Sequence, residues 1–297
     1  MRYSLLRESR VVIHYEGRAY EFDALSNVSA EIDYQEYKTT RKTLHKRRNY
    51  PLSKVVSKNP SDISLAVNLT DNQLEINFFR WLGLQEYGAG IMYLPDVSEL
   101  TPVVFDMYII TKGSILRCKH CFVSAVDFTL EKAVPLLNIA IEGADVVEVY
   151  DYPDTGSLMQ GNILTYSPLR VNINNNEMPA LIGAGISFQQ QCNWREQRTI
   201  HDIGKIYTHK TAIVSEMNAS ATINFNFANR FSRSTMIEDV PLYDVPVALF
   251  NRHISINFPN SKITKRLSVA DVYSISFDVT PIEESEEPVT IQFFGES

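Results

Sequence analysis

The sequence predicts a mainly β protein built as two tandem antiparallel halves, and three observations carry this prediction. Alternating apolar and polar residues recur along most of the chain, a period of two that places successive side chains on opposite faces of a sheet. The stretch from about 27 to 70 recurs without a gap at about 183 to 226. The elements that follow each copy also come in the same order. Together these features indicate a duplicated β architecture.

The repeated stretch is predicted to be a long strand, a polar loop and a returning strand. At an offset of 156 positions, residues 24–70 share eight identities in 47 positions with the second copy. The alternation also keeps its phase. On the returning strand Leu65 and Val67 share the apolar face, and in the second copy Ile223 and Phe225 do so.

Other elements flank each copy. Short hairpins are expected at 11–22, around Glu16-Gly17-Arg18, and at 169–178, where an asparagine run supplies a turn tolerant of left-handed backbone. Further hairpins are expected at 103–122 and 243–258.

Each half then ends in closing strands. These strands are predicted at 125–149 in the first half and at 272–280 in the second, and a last strand is predicted at 289–294. The segment 151–167 is rich in proline and glycine and is predicted to connect a first domain, 1–150, to a second domain, 168–297.

One helix is predicted after the first copy of the repeat. Asp71 is expected to cap it, Leu74, Phe78 and Trp81 fall at helical spacing, and Gly83 is expected to end it. The helix is predicted to plug the open end of a sheet, with its aromatic residues in the core.

Bulk composition excludes several classes of protein. The chain has 297 residues, 28 basic and 35 acidic, for a net charge of −7, which argues against a general nucleic-acid binder. Three cysteines predict synthesis in a reducing compartment, and the first ten residues lack the apolar region of a secretion signal. No apolar run approaches the length of roughly 20 residues that a membrane-spanning helix requires.

Catalytic, metal and cofactor motifs are not found, so the sequence predicts no enzyme and no cofactor. Cys118-Lys119-His120-Cys121 is the pattern closest to a metal or redox site. No second CxxC follows, and in a strand the two cysteines are expected to point to opposite faces. The six histidines show no ligand spacing, and hydrogen-bonded loop positions are the simpler interpretation.

The polar faces of the repeated strands carry no lysine or arginine. An outer surface normally mixes both signs, whereas an acidic to neutral wall suits a conduit for a polyanion, although a solvated sheet face is the simpler alternative. The residues of this wall are Glu31, Asp33, Gln35, Ser64, Asn68, Ser187, Gln189, Gln191, Ser220, Thr222 and Asn224.

The first loop, 38–60, is basic and contains no acid. It is either a solvated loop or a contact between subunits. The candidate contact residues in this loop and in its copy are Lys38, Arg41, Lys42, His45, Lys46, Arg47, Arg48, Arg198 and His201.

This order of elements resembles the tail tube proteins of tailed bacteriophages, especially the duplicated form found in some long-tailed, non-contractile phages. The resemblance rests on the repeat at 27–70 and 183–226, the helix from Asp71, and the closing elements near 123–149 and 252–294. It covers nearly the whole chain and is one of pattern and order rather than of a signature motif.

The resemblance implies that each half is a β-sandwich with a flanking helix. Three chains would form a pseudo-sixfold ring whose long strands join into one intersubunit β-barrel, lined by the polar faces. Rings would stack into the hollow tail tube, with the loops 38–60 and 194–217 reaching a neighbouring ring or subunit. There the basic first loop would meet acidic surface such as 283–287.

The implied partners are further copies of the chain, other tail proteins (tape measure, baseplate or distal tail, and terminator), and viral DNA that passes without sequence-specific binding. No membrane is implied. The implied location is the virion, after synthesis in the host cytoplasm. Two alternatives stay open: a different tail ring, such as a terminator or distal ring, and a duplicated carbohydrate-binding β-sandwich. The polar faces expose no aromatic residue, which disfavours the carbohydrate module.

Overall fold

The fold is taken from a computed structural model of the chain. The structure describes residues 10–23, 26–39, 52–87, 90–95, 101–130, 135–153, 156–165, 167–179, 181–202, 205–226, 242–269, 273–282 and 288–294.

Strands dominate the described chain, as the sequence predicts. In chain order they are β1 (Arg10–Tyr15), β2 (Arg18–Phe22), β3 (Ser26–Ala30), β4 (Tyr34–Thr39), β5 (Leu52–Lys58), β6 (Ser61–Asn68), β7 (Gln85–Tyr87), β8 (Ile91–Tyr93), β9 (Phe105–Ile110), β10 (Ile115–Thr129), β11 (Leu136–Val149), β12 (Leu158–Met159), β13 (Arg170–Ile173), β14 (Asn176–Glu177), β15 (Leu181–Arg195), β16 (Tyr207–Thr208), β17 (Thr211–Asn226), β18 (Leu242–Phe250), β19 (Ile254–Val269), β20 (Tyr273–Pro281) and β21 (Thr290–Phe293). The helix α1 (Ile76–Leu82) lies between β6 and β7.

The strand pairings follow the same order in both halves of the chain. In the first half β2, β1, β9, β10, β11, β6 and β3 are successive neighbours. In the second half β14, β13, β18, β19, β20, β17 and β15 are successive neighbours. One antiparallel contact, between β10 and β15, joins the two series into a continuous sheet.

The two opening hairpins form where the sequence predicts them. In the first, Glu16 and Gly17 adopt φ of 48° and 77°, and in the second Asn174 and Asn175 adopt 50° and 60°. Two consecutive residues with positive φ give the turn whose twist matches that of paired strands. Glycine and asparagine tolerate this backbone, so the local sequence determines both turns.

The two copies of the repeat differ in their outgoing strand. In the second copy β15 runs unbroken from Leu181 to Arg195. In the first copy the predicted single strand is wrong, because β3 ends at Ala30 and β4 begins at Tyr34 in a separate three-stranded sheet with β5 and β16. Ile32, expected on the apolar face, is 45% exposed.

The helix ends where predicted but begins later. Gly83 closes it with φ of 104° and donates its N–H to the Arg80 carbonyl. Asp71 does not cap it, since its carboxylate accepts hydrogen bonds from the backbone and side-chain nitrogens of Asn162, at 3.0 and 3.1 Å. Asp71 therefore holds the segment that contains Asn162 rather than starting the helix.

The aromatic residues of α1 are buried in a core that both halves share, which agrees with the prediction. Trp81 packs edge-on against Phe78 and Tyr20, with ring centroids 5.4 and 5.3 Å apart. Phe79 lies 5.5 Å from Phe128 on β10 and 5.7 Å from Phe188 on β15. Helix α1 therefore packs beneath the contact that joins the two halves.

The two cysteines of the CxxC pattern do not point to opposite faces, so that expectation is wrong. Both side chains are fully buried. A β-bulge between Cys118 and Cys121, with His120 at φ of 50°, turns both thiols to the core. Burial, together with the neighbouring Cys118 thiol, raises the pKa of Cys121 well above its usual value, as expected for structural rather than reactive thiols.

Candidate lumen-lining surface

A polar face extends across the run of strands β3, β6, β11, β10, β15, β17, β20 and β19. Register fixes one row of it, because Ser64 pairs with Ser29 on one side and with Ala140 on the other. Ala140 pairs with Ala125, which pairs with Gln189 across the contact between the halves. Side chains directly opposite on one sheet face are neighbours. The row therefore places polar positions of both halves on one surface.

Hydrogen bonds between side chains confirm that these residues share a face. Ser29 and Ser64 hydroxyls are 2.8 Å apart. In the second half the Thr222 hydroxyl donates to Asp278 at 3.2 Å, and the Ser276 hydroxyl donates to Asn224 at 2.6 Å. Short hydroxyl and amide side chains thus satisfy one another along the strands.

Most residues of the predicted wall lie on this face, and two do not. Gln35 lies in β4, in the separate sheet, where it accepts a hydrogen bond from Ser57 at 2.9 Å. Asp33 lies in the bend before β4 and accepts from the backbone N–H of Tyr34. The face contains the other members: Glu31, Ser64, Asn68, Ser187, Gln189, Gln191, Ser220, Thr222 and Asn224.

The structure adds residues from the closing strands. Asp127 pairs with Asn138 on one side and with Ser187 on the other, which places all three on the face. The alternation of the closing strands is the sequence signal for these positions. Arg266 on β19 also lies here, with its Nε 2.6 Å from an Asp278 carboxylate oxygen, so the face beyond the repeated strands includes a basic residue.

One end of the face is acidic. Glu31, Asp62 and Glu142 line a groove of about 310 Å³ with Ser64. Burial raises the pKa of Glu142, the Asp62 charge adds to this shift, and the hydrogen bond from Trp194 opposes it. Trp194 donates its indole N–H to Glu142 at 2.8 Å, from β15 to β11. The groove therefore borders the contact between the halves.

At the same end of the sheet, strands from the two long loops, 38–60 and 194–217, pair with each other. The hairpin of β4 and β5 pairs with β16 of the second loop, Tyr207 opposite Ser57 and Thr208 opposite Lys58. Of the predicted contact residues, His201 is exposed in a turn of 3-10 helix and Arg198 is half-buried. Arg41, Lys42, His45, Lys46, Arg47 and Arg48, the side chain of Lys38, and the acidic run 283–287 lie outside the described residues.

Comparison with known proteins agrees with this architecture. The whole chain, residues 1–297, matches the model of the Bacteriophage Baseplate Tube Protein Family. It is also 45% identical over 297 residues, 100% of this chain and 99% of the relative, to the baseplate tube protein p140 of Escherichia phage T5. The chain belongs to the bacteriophage baseplate tube protein family.

Membership of the baseplate tube family establishes the broad role. The chain is a structural component of the phage tail and virion, it is not an enzyme, and the predicted resemblance to tail tube proteins is confirmed. Among the described residues no cluster of histidine, cysteine or carboxylate side chains is arranged to hold a metal ion. No helix in the described ranges is long and apolar enough to cross a membrane.

Proposed function

We propose that this baseplate tube family member assembles as rings of three copies whose polar faces join into one closed barrel. Each copy supplies two tube-like domains, 1–150 and 168–297, joined by the connector 151–167. Rings stack into the hollow tube through which viral DNA passes to the host. The chain is made in the host cytoplasm and incorporated into the virion with other tail proteins, including tape measure, distal tail and terminator components.

The observation that carries the proposal is the strand edge at the β3 end of the polar face. Within the described residues β3 pairs on one side only, with β6. At the other end of the face, the described pairing of β18 with β19 reaches Ile263, and β19 continues beside β20 to Val269. Unpaired edges promote association with another chain, and closure removes them.

The dimensions of such a barrel suit a DNA conduit. Three copies of eight strands give 24 strands. At a spacing of about 4.8 Å and with the usual tilt, they enclose a barrel roughly 45 to 50 Å across between backbones. After side chains are allowed for, duplex DNA fits. The carboxylates of the face, such as Asp127 and Glu31, repel phosphates and favour passage over retention.

Electron microscopy combined with native mass spectrometry tests the assembly. We expect particles of three times the chain mass of 33.9 kDa, and stacked rings with a central channel at high concentration. Raising the salt concentration is expected to weaken stacking through the charged loops. Isolated single rings that never stack would favour a terminator or distal ring, and a monomer at every concentration, with no channel, would overturn the proposal.

A second experiment tests the lumen assignment. Phage particles carrying Ser187→Lys and Thr222→Lys should assemble tails but release their genome more slowly, because cations on the wall hold phosphates. Asp151→Lys, on an exposed position away from the face, is the matched control. Equal release by both variants would show that the polar face does not line the channel.

A further inference from the structure

A small sheet of three strands, the arm, is separate from the main sheet that carries the polar face. The arm consists of β4, β5 and β16. Residues 31–33 separate β4 from β3 of the main sheet, and Asn59 and Pro60 separate β5 from β6. Strand pairing holds the three arm strands to one another. The direction of the arm relative to the main sheet therefore depends on contacts other than strand pairing.

Lys58 makes such a contact. It is the last residue of β5 and pairs with Tyr34 on β4 and Thr208 on β16. Its ammonium forms an ion pair with Asp145 on β11 and donates a hydrogen bond to the Val146 carbonyl at 2.7 Å. Lys58 is 7% exposed, and lysine is almost never so buried unless it is paired. One side chain thus connects the arm to the main sheet.

The equivalent position of the second copy is apolar. The repeat offset of 156 places Val214 there. Val214 is buried inside β17, which runs unbroken from Thr211 to Asn226. Apolar burial has no preferred direction, whereas an ammonium that donates to a carboxylate and a carbonyl requires a defined geometry. The directional contact therefore occurs in the copy whose strands leave the main sheet.

The arm exposes apolar side chains next to a basic loop. Tyr34 on β4 is 47% exposed, and Ile206, next to β16, is 57% exposed. The first loop, 38–60, has eight basic residues and no acid. Exposed apolar side chains bordered by charge suit a contact with another protein. The arm is therefore the part of the chain whose direction matters for contact with a neighbouring ring.

We infer that Lys58 is a positioning residue, whose buried ion pair with Asp145 sets the direction in which the arm leaves the main sheet. This role rests on the proposed stacking of rings and names the contact that prepares the arm for it. A segment already held in its bound orientation loses less conformational freedom on association, so the rings bind one another more tightly.

Hydrogen exchange combined with assembly measurements tests this role. Lys58→Met keeps a long side chain and removes the ammonium. We expect exchange at 52–58 and 207–208 to become about tenfold faster, with 63–67 of β6 unchanged. Native mass spectrometry should still show rings of three copies, whereas the concentration needed for stacking, measured by electron microscopy, should rise about tenfold. Lys54→Met, at an exposed lysine of the same strand, is the matched control and should leave the exchange rates unchanged.

A double variant separates positioning from stabilisation. Lys58→Met alone leaves Asp145 without its partner and should lower the melting temperature. Adding Asp145→Val replaces the ion pair by an apolar contact, a change that is often neutral or stabilising. We expect the double variant to recover the melting temperature but neither the slow exchange of the arm nor the stacking.

The outcomes separate this role from the proposed assembly. Recovery of melting temperature, exchange and stacking together in the double variant would overturn positioning and leave a contact that only stabilises the chain. Wild-type exchange rates in Lys58→Met would overturn it as well. Wild-type rings that never stack would overturn the proposed stacking, while exchange at 52–58 would still decide whether Lys58 anchors the arm.

Discussion

The two copies of the repeat follow the same alternation and yet adopt different structures. β15 continues for 15 residues in one sheet, whereas its counterpart bends out of the sheet after Ala30. The difference lies in the neighbours. β15 has β10 along its outer edge, and the Gln190 side chain donates to the Val123 carbonyl there, whereas no described strand pairs with the outer edge of β3. Pairing with β10 therefore accompanies the unbroken course of β15, and in the proposed ring a second copy would supply such a partner for β3.

The largest expected difference between the copies is at one pair of repeat positions. Phe188 is fully buried, and Ile32, 156 positions earlier, is 45% exposed. Phe188→Ala should lower the free energy of unfolding by about 3 to 5 kcal/mol, whereas Ile32→Ala should cost under about 1 kcal/mol. Denaturant titration of the monomer measures both. Equal losses would mean that the two copies are packed alike.

Trp194 should carry the next largest effect, because it ties the outer part of β15 to the first half. Its ring lies 5.3 Å from that of Phe122, in addition to the hydrogen bond to Glu142. Trp194→Ala should cost about 2 kcal/mol, and Trp194→Phe, which keeps a ring, about half of that. Denaturant titration is again the measurement.

The reactivity of the Cys192 thiol measures whether the outer part of β15 opens when Trp194 is removed. Burial raises the pKa of Cys192 to about 12, so wild-type protein should react slowly with a thiol reagent at pH 8. Opening of the strand in Trp194→Ala should raise the labelling rate by at least about tenfold as the pKa falls toward its ordinary value. Peptide mapping separates Cys192 from the buried Cys118 and Cys121. Unchanged labelling of Cys192 would show that Trp194 does not hold this strand.

A smaller effect is expected at the bend of the first copy. Asp33 accepts hydrogen bonds from the Tyr34 backbone at 2.8 Å and from the Asn59 side chain at 2.9 Å. Asp33→Ala should cost about 1 kcal/mol and speed hydrogen exchange at 31–36. Gln189→Ala, at the equivalent repeat position, should change the free energy of unfolding by no more than about 0.5 kcal/mol and should leave hydrogen exchange at 31–36 unchanged. If both variants behave alike, Asp33 does not stabilise the bend.

Local chemistry explains which features the sequence predicts well. The turns at Glu16 and Asn174 and the helix stop at Gly83 depend on backbone conformations that few residues tolerate, so they can be recognised in a short window. The burial of Phe78 and Trp81 follows from spacing and hydrophobicity.

The features that the sequence did not reveal depend on distant partners. Asp71 is a good capping residue, but its carboxylate accepts hydrogen bonds from Asn162 instead. The bend after Ala30 lies where no described strand pairs with the outer edge of β3, and alternation does not encode which strands pair. Asp127 joins the polar face only because β10 lies beside β15, although its alternation was visible. The order in which the strands pair, and not the alternation of residue types along each strand, thus determines which residues belong to the candidate surface.

The smallest expected effect concerns Glu142, which lies where the two halves meet. Burial raises its pKa above the ordinary value of 4.5, so the protonated form favours folding. The stabilising contribution of that proton is complete below pH 4.5 and is lost as the pH rises through the folded-state pKa.

Glu142→Gln removes this dependence on pH and keeps an oxygen that can accept a hydrogen bond from Trp194. Thermal unfolding of the variant and the wild type is measured from pH 4 to 8. Glu148→Gln, at an exposed position, is the control for loss of charge. We expect the stability of the Glu142→Gln variant to increase relative to that of the wild type as the pH rises. If the difference in stability between the variant and the wild type is the same at every pH, water reaches Glu142. The contact between the two halves is then more open near Glu142 than the structure indicates.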